Sequence, residues 1–255
     1  LATVIGQIFG MALGLWGVFR RQKVLNVNMR EFKWRGQTIK DIYRVGLPGI
    51  VMQSVVSVMT AGMNGILIAF SQTAVNVLGV YFKLQTFVFM PVFGLNNGLV
   101  PIVSFNYGAR HRERMERAVR LAYITAEVIM IIGLAIFQLV PDKLLFLFGG
   151  SADMLSIGVP ALRIISTSFL FAGIAIVSSS VCQALGRGMY SLAVSFGRQI
   201  VVLVPAAFLL SRLGQLNLVW LAFPIAEVAS IILALFFVRR TIRHLDWTRR
   251  TEETA

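Results

Sequence analysis

Residues 91–108 read PVFGLNNGLVPIVSFNYG, and the basic stretch RHRERMER follows at 110–117. Two prolines, three glycines and three asparagines sit inside a run that is otherwise apolar enough to cross a bilayer. Proline removes a helical hydrogen bond, and lipid offers no replacement partner. The stretch therefore reads as a membrane helix whose polar and irregular face meets protein or a wet cavity. It ends at a basic interface, where Gly108 is the expected C-cap and the arginines complement the negative helix end.

Working outward, the same reading extends to the whole chain. The 255 residues are 57% hydrophobic and 14% charged, with a mean hydropathy of +0.77. Soluble domains carry roughly a quarter charged residues, so the composition points to an integral membrane protein. Apolar blocks at 1–19, 47–70, 77–107, 118–140, 158–184, 191–211 and 217–238 predict seven helical spans. Each is close to or above the roughly 20 residues needed to span the hydrocarbon core. The expected fold class is all-α.

The net charge of +13 raises the question of a nucleic-acid partner, which the placement of the charges answers. If the spans alternate in direction, segments 20–46, 108–117, 185–190 and 239–255 share one side, and they carry most of the lysines and arginines. The opposite loops hold only Lys143 and Arg212. Sorting by alternate loops is the positive-inside pattern, which makes the basic side and the C-terminus cytoplasmic. The partner expected of these loops is membrane lipid, not nucleic acid.

Absences narrow the chemistry further. Cys182 is the single cysteine and lies in a span, and His111 and His244 stand in basic segments with no cluster of acids or thiols. No zinc ligand set, no Ser-His-Asp arrangement and no GxxxxGK[ST] phosphate loop occurs. The chain is therefore not expected to be an enzyme, and no metal or organic cofactor is expected. It opens Leu-Ala-Thr-Val directly inside a span, with neither an initiating Met nor a leader, and reads as the C-terminal part of something longer.

Polar residues inside spans are costly, and so they are candidates for function. Gln53, Ser57, Thr60 and Asn64 recur at helical spacing on one face. That face suits either interhelical hydrogen bonding or the lining of a cavity, and Gln53 and Asn64 carry amides bulky for close packing. In 77–107, Pro91, Gly94, Gly98 and Pro101 predict a kinked or locally unwound helix in which Asn96 and Asn97 line the cavity or satisfy freed carbonyls. An interrupted span of this kind is a pointer to a transporter site. Arg198 and Glu227 lie roughly 12 and 16 Å from the cytoplasmic ends of their helices, counted at about 1.5 Å per residue, and should form an ion pair or shared polar network.

The pieces LPGIVMQ at 47–53, FKLQTFVFMPVFGLNNGLVPIVSFNYGAR at 82–110 and RQIVVLVPAAFLLSRLGQLNLVWLAFPIAE at 198–227 resemble the C-terminal lobe of the multidrug and toxic compound extrusion (MATE) transporters. The most specific part is Gly98, Pro101, Asn106, Tyr107, Gly108 and Ala109. The resemblance implies a C-terminal six-helix lobe at 47–238, preceded by the last helix of an N-terminal lobe at 1–19 and a cytoplasmic inter-lobe linker at 20–46, and followed by a basic cytoplasmic tail at 239–255. It also implies a secondary antiporter that exports organic, often cationic, compounds from a bacterial or archaeal cell in exchange for protons or sodium ions. The N-terminal lobe would then be a missing partner.

Sodium-coupled relatives carry acids on the seventh and tenth helices, whereas here Gln53 stands on the former and 158–184 has no Asp or Glu. The coupling acid is therefore expected outside this lobe. The expected contribution of the chain is one cavity wall lined by Gln53, Asn64, Asn96 and Asn97, with Met52, Met90 and Phe93 as adaptable apolar contacts. A flippase for lipid-linked saccharides, of the same superfamily, is the alternative. Lys83, Arg163 and Arg198 would suit its anionic headgroup, whereas Glu127 and Glu227 would suit a cationic drug. A structural membrane subunit is the alternative from another class.

Overall fold

The computed structural model describes residues 2–21 and 36–243. Every regular element among them is helical. The chain divides into two units at Tyr43 and Arg44. The first holds α1 (Ala2–Arg21), whose apolar side chains from Val4 to Trp16 are exposed, and the opening turns of α2. The inter-lobe linker and the terminal tail expected from sequence fall largely outside the described residues. Residues 36–46 are an exception, since α2 runs unbroken from Gly36 to Ile68.

The second unit contains the rest of α2, α3 (Gln72–Gly108), α4 (Arg112–Leu139), α5 (Pro141–Phe146), α6 (Ala152–Ser166), α7 (Phe169–Ala184), α8 (Gly188–Phe196), a π-helical segment (Gly197–Leu203), α9 (Val204–Ser211), α10 (Leu216–Trp220) and α11 (Ala222–Arg243). Among the described residues, five helical stretches are long and apolar enough to cross a membrane, and α6 and α7 together pass the same test as a pair bent by 50°. Val4–Gly17 is a shorter apolar helix.

The spans leave many large apolar side chains exposed and bury small residues together with aromatic and methionine side chains. On α4, Ala122, Ala126, Met130, Gly133 and Phe137 face inward, while Leu121, Ile124, Val128, Ile132 and Leu139 face out. A methyl group added at Gly133 would stand 2.3 Å from a Val88 methyl, so α3 and α4 touch at a distance only glycine permits. On the other side of α4, Tyr123 and Ser178 of α7 share a 2.8 Å hydroxyl contact. Rings from four helices close the core, with Phe137 set edge-on to Tyr81 and to Phe169 at centroid distances of 6.5 and 5.2 Å, and Tyr81 set edge-on to Phe223 at 5.7 Å.

Three expectations are corrected here. The first concerns α3, which is one uninterrupted helix through Pro91 and Pro101 rather than a locally unwound one. Each proline deletes a single bond from a 37-residue ladder, and buried Phe89 and Val92 flank the first while Leu99 and Val103 flank the second. Packing on both sides holds the helix together. Gly94 and Gly98 face open space and mediate no close approach.

The second concerns the end of α3. Gly108 is the last helical residue, Ala109 is the cap, and the left-handed conformation falls on Arg110 with φ 59°. The bonds from Arg110 N to Tyr107 O and from His111 N to Asn106 O form a Schellman closure, which requires a left-handed residue at that position.

The third concerns 158–184, expected as one span, which is bent rather than a single helix. It forms two helices that meet at 50° around Thr167 and Ser168. Local hydroxyls and one amide take over the freed carbonyls: Thr167 Oγ1 donates to Ile164 O at 2.7 Å, and Gln138 Nε2 donates to Arg163 O at 2.8 Å.

Candidate functional site: a two-chamber cavity divided by an ion pair

A π-turn is the local feature that builds the site. Within 188–211 the ladder changes register over Gly197–Leu203, so that Val204 N donates back to Gln199 O, five residues away. Such wide turns concentrate at functional sites because they redirect side chains. Here Arg198 and Gln199, neighbours in sequence, both face one cavity. Gly197 admits the close approach of α11, whose Leu233 methyl would lie 3.1 Å from an added Cβ.

The cavity has two adjoining chambers of about 310 and 280 Å³, which share Phe93, Ile176, Arg198 and Glu227 as walls. The first is apolar and aromatic, with Met59, Tyr81, Phe82, Phe89, Met90 and Phe223 beside Gln85 and Thr86. The second is polar, with Asn96, Asn97, Ser179, Gln183, Ser191 and Ser195. Among the described residues, Arg198 and Glu227 are the only charged side chains lining either chamber. Arg198 Nη1 donates to both Glu227 oxygens, at 3.2 and 3.1 Å. The carboxylate is the shielded partner, its side chain 5% exposed against 32% for the arginine.

Two polar groups in the walls lack the partners that burial normally demands. Asn96 is 5% exposed, and neither atom of its amide has a hydrogen-bond partner. Gln199 is 2% exposed; its Nε2 donates to Ser195 Oγ at 2.9 Å, but its Oε1 has no partner. A buried amide left unbonded costs about 1–3 kcal/mol, which a bound molecule or water would recover. Asn96 lines the second chamber and Gln199 the first, so each wall carries one buried amide with unused hydrogen-bonding capacity.

The residues singled out from sequence fall in different places. Asn96 and Asn97 come together in the second chamber with Met52, and Met90 and Phe93 line the first. Asn64 lines a separate pocket with Thr60, Thr73, Asn76 and Lys83. Gln53 is exposed and lines neither chamber, while Val55, Met59, Met63 and Leu67 of the same helix turn into the core. The cations Lys83, Arg163 and Arg198 do not share one cavity, since Lys83 faces the Asn64 pocket and Arg163 is exposed on α6. Glu127 is wedged between α4 and α7, where its Oε2 lacks a partner and would lie 2.9 Å from a Cβ at Gly173.

Several wall residues went unnoticed in the sequence. Gln85, Thr86 and Gln199 carry the signal already used elsewhere, a polar side chain inside an apolar span, whereas Tyr81 and Phe89 carry none.

Comparison with known proteins agrees with this architecture. The chain is 24% identical over 244 residues to the multidrug export protein MepA of Staphylococcus haemolyticus, a match covering 92% of this chain and 53% of that protein. It is 22% identical over 239 residues to MepA of Staphylococcus aureus, covering 93% of this chain and 52% of the relative. The chain thus spans about half the length of the curated relatives it matches. Among solved structures, an outward-facing multidrug resistance MATE transporter of the MOP superfamily superposes with a TM-score of 0.86 at 24% identity, covering 96% of this chain and 55% of that one. A MOP superfamily transporter from Pyrococcus furiosus, described as having a binding pocket of reverse polarity, superposes at 0.87 with 23% identity, covering 96% and 56%. Because the MatE family model itself matches residues 48–209, which hold α3, the bent span, the π-turn and Arg198, the chain belongs to the MatE family.

Proposed function

We propose that this chain is the C-terminal lobe of a secondary antiporter that exports organic compounds, a class often cationic among MATE proteins, in exchange for protons or sodium ions. The observation that carries the reading is the cavity: an aromatic, methionine-containing chamber joined to a polar one, each with one buried, incompletely bonded amide in its wall. Adaptable apolar walls with a few fixed polar groups are what a small-molecule site requires. Alternating access rocks one repeat against another around such a site, so an opposing lobe is part of the proposal. The coupling acid belongs to that lobe, because Glu227 is engaged by Arg198 and Glu127 is packed against Gly173. The basic segments support a cytoplasmic C-terminus, and the family resemblance a bacterial or archaeal plasma membrane.

The test is efflux of a fluorescent drug from vesicles under an imposed proton or sodium gradient, comparing this chain alone with the chain joined to an N-terminal lobe. Gradient-driven efflux only from the joined protein is expected. Efflux from this chain alone, or none from the joined protein under either gradient, would overturn the reading.

A further inference from the structure

We propose that the cavity takes compounds bearing an oxyanion, a carboxylate or a phosphate, on an apolar aromatic body, and that Arg198 is the group that binds the acid. This inference rests on the reading of the cavity as a transport site and specifies which guests suit it.

The argument starts from which charge a guest can reach. Among the described residues only two charged side chains line the chambers, and they are paired, yet the pair is lopsided. Glu227 is enclosed, whereas a third of the Arg198 side chain remains open. Both contacts with Glu227 run through Nη1. A guanidinium has five N–H donors in a planar fork, so Nη2 and Nε keep theirs for a second acceptor. A guest arriving in either chamber therefore meets cationic donors before it meets the carboxylate. An oxyanion completes a bidentate contact on the unused edge, while an ammonium would have to displace Arg198 from Glu227 first.

Buried amides supply an independent observation. Asn96 lines the same polar chamber as Arg198, and its enclosed Nδ2 has no protein partner, which leaves a donor in that wall for an acceptor that reaches it. The first chamber supplies the other half of the guest site, with Phe82, Phe89, Phe93 and Met90 suited to a flat apolar body. The third pocket holds the exposed cation Lys83, but no buried unpartnered amide lines it.

Binding of three matched fluorescent probes to the purified protein in phosphatidylcholine nanodiscs tests the proposal: 9-anthracenecarboxylate, the neutral 9-anthracenecarboxamide and the cationic 9-anthracenemethylamine. The carboxylate should bind about tenfold or more tighter than the amine, the difference one charge-assisted contact makes. Arg198→Met should remove that advantage and leave amide binding within about twofold. Should that variant fail to fold because Glu227 is left unpaired, Arg198→Met/Glu227→Met removes both charges and reads out the same loss. Glu227→Gln should tighten the carboxylate several-fold, roughly three- to tenfold, by removing the competing acceptor.

Nanodiscs containing phosphatidic acid separate the two sources of oxyanion. Displacement of the probe identifies a lipid headgroup, and its absence identifies a soluble acid. An amine that binds as tightly as the carboxylate overturns the proposal, as does a carboxylate affinity unchanged in the double variant. Binding alone is measured, so a protein that pumps but prefers the amine would refute this inference and leave the antiporter reading standing.

Discussion

Removing either member of the Arg198–Glu227 pair should not cost the same, and the difference follows from the exposures. In Arg198→Met the carboxylate is left in a site where its side chain is 5% exposed, with no other cation lining either chamber. Leaving one charge of a buried pair uncompensated costs about 3–5 kcal/mol. In Glu227→Gln the guanidinium keeps 32% of its surface open and retains an amide oxygen as acceptor. What is lost is chiefly a charge-assisted contact, discounted for that exposure, or about 1–2 kcal/mol. The two variants should therefore differ by roughly 2 kcal/mol, about thirtyfold in the unfolding equilibrium. Arg198→Met/Glu227→Met, which substitutes apolar groups for both, should return to within about 1 kcal/mol of the parent. Denaturation of the detergent-solubilised protein can be followed through Trp220, which is wholly buried in the core. Equal losses from the two single variants would refute the reasoning, as would a double variant less stable than Arg198→Met.

Two further predictions concern single residues. Arg110→Gly should stabilise the protein by about 1 kcal/mol, because glycine adopts the left-handed conformation that the Schellman closure imposes at no steric cost; an unchanged or lowered denaturation midpoint would contradict this. Asn96→Leu should raise stability by about 1 kcal/mol, because it deletes a buried amide with no partner, yet in the chain joined to an N-terminal lobe it should slow the proposed efflux by removing a donor from the polar chamber. A variant that is less stable, or that transports at the parental rate, would show that Asn96 has a structural partner or no guest.

Much of this protein is set by local chemistry and is legible in the chain itself. Apolar runs long enough for a bilayer mark the spans whatever packs beside them, because lipid forces each to be a helix. The Arg198–Glu227 pairing follows from a rise count and from the cost of an unpaired charge at that depth. Other features were decided only when helices met. Two prolines and two glycines suggested a kinked or locally unwound α3, yet the helix runs through all four without interruption. The break instead falls at Ser166-Thr167-Ser168, where no proline or glycine stands and where Gln138, far away in sequence, supplies the hydrogen bond to Arg163 O.

The same holds for the cavity walls. Helical spacing shows that Gln53 and Asn64 share a face, but not what stands opposite. In the folded lobe the stripe from Val55 to Leu67 turns inward, leaving Gln53 exposed and taking Asn64 to another pocket. Periodicity fixes directions relative to one helix axis, while a cavity is a property of several axes at once. The π-turn that brings Arg198 and Gln199 to one wall depends on α11 lying against Gly197, a long-range contact with no signature in the residues of the turn itself.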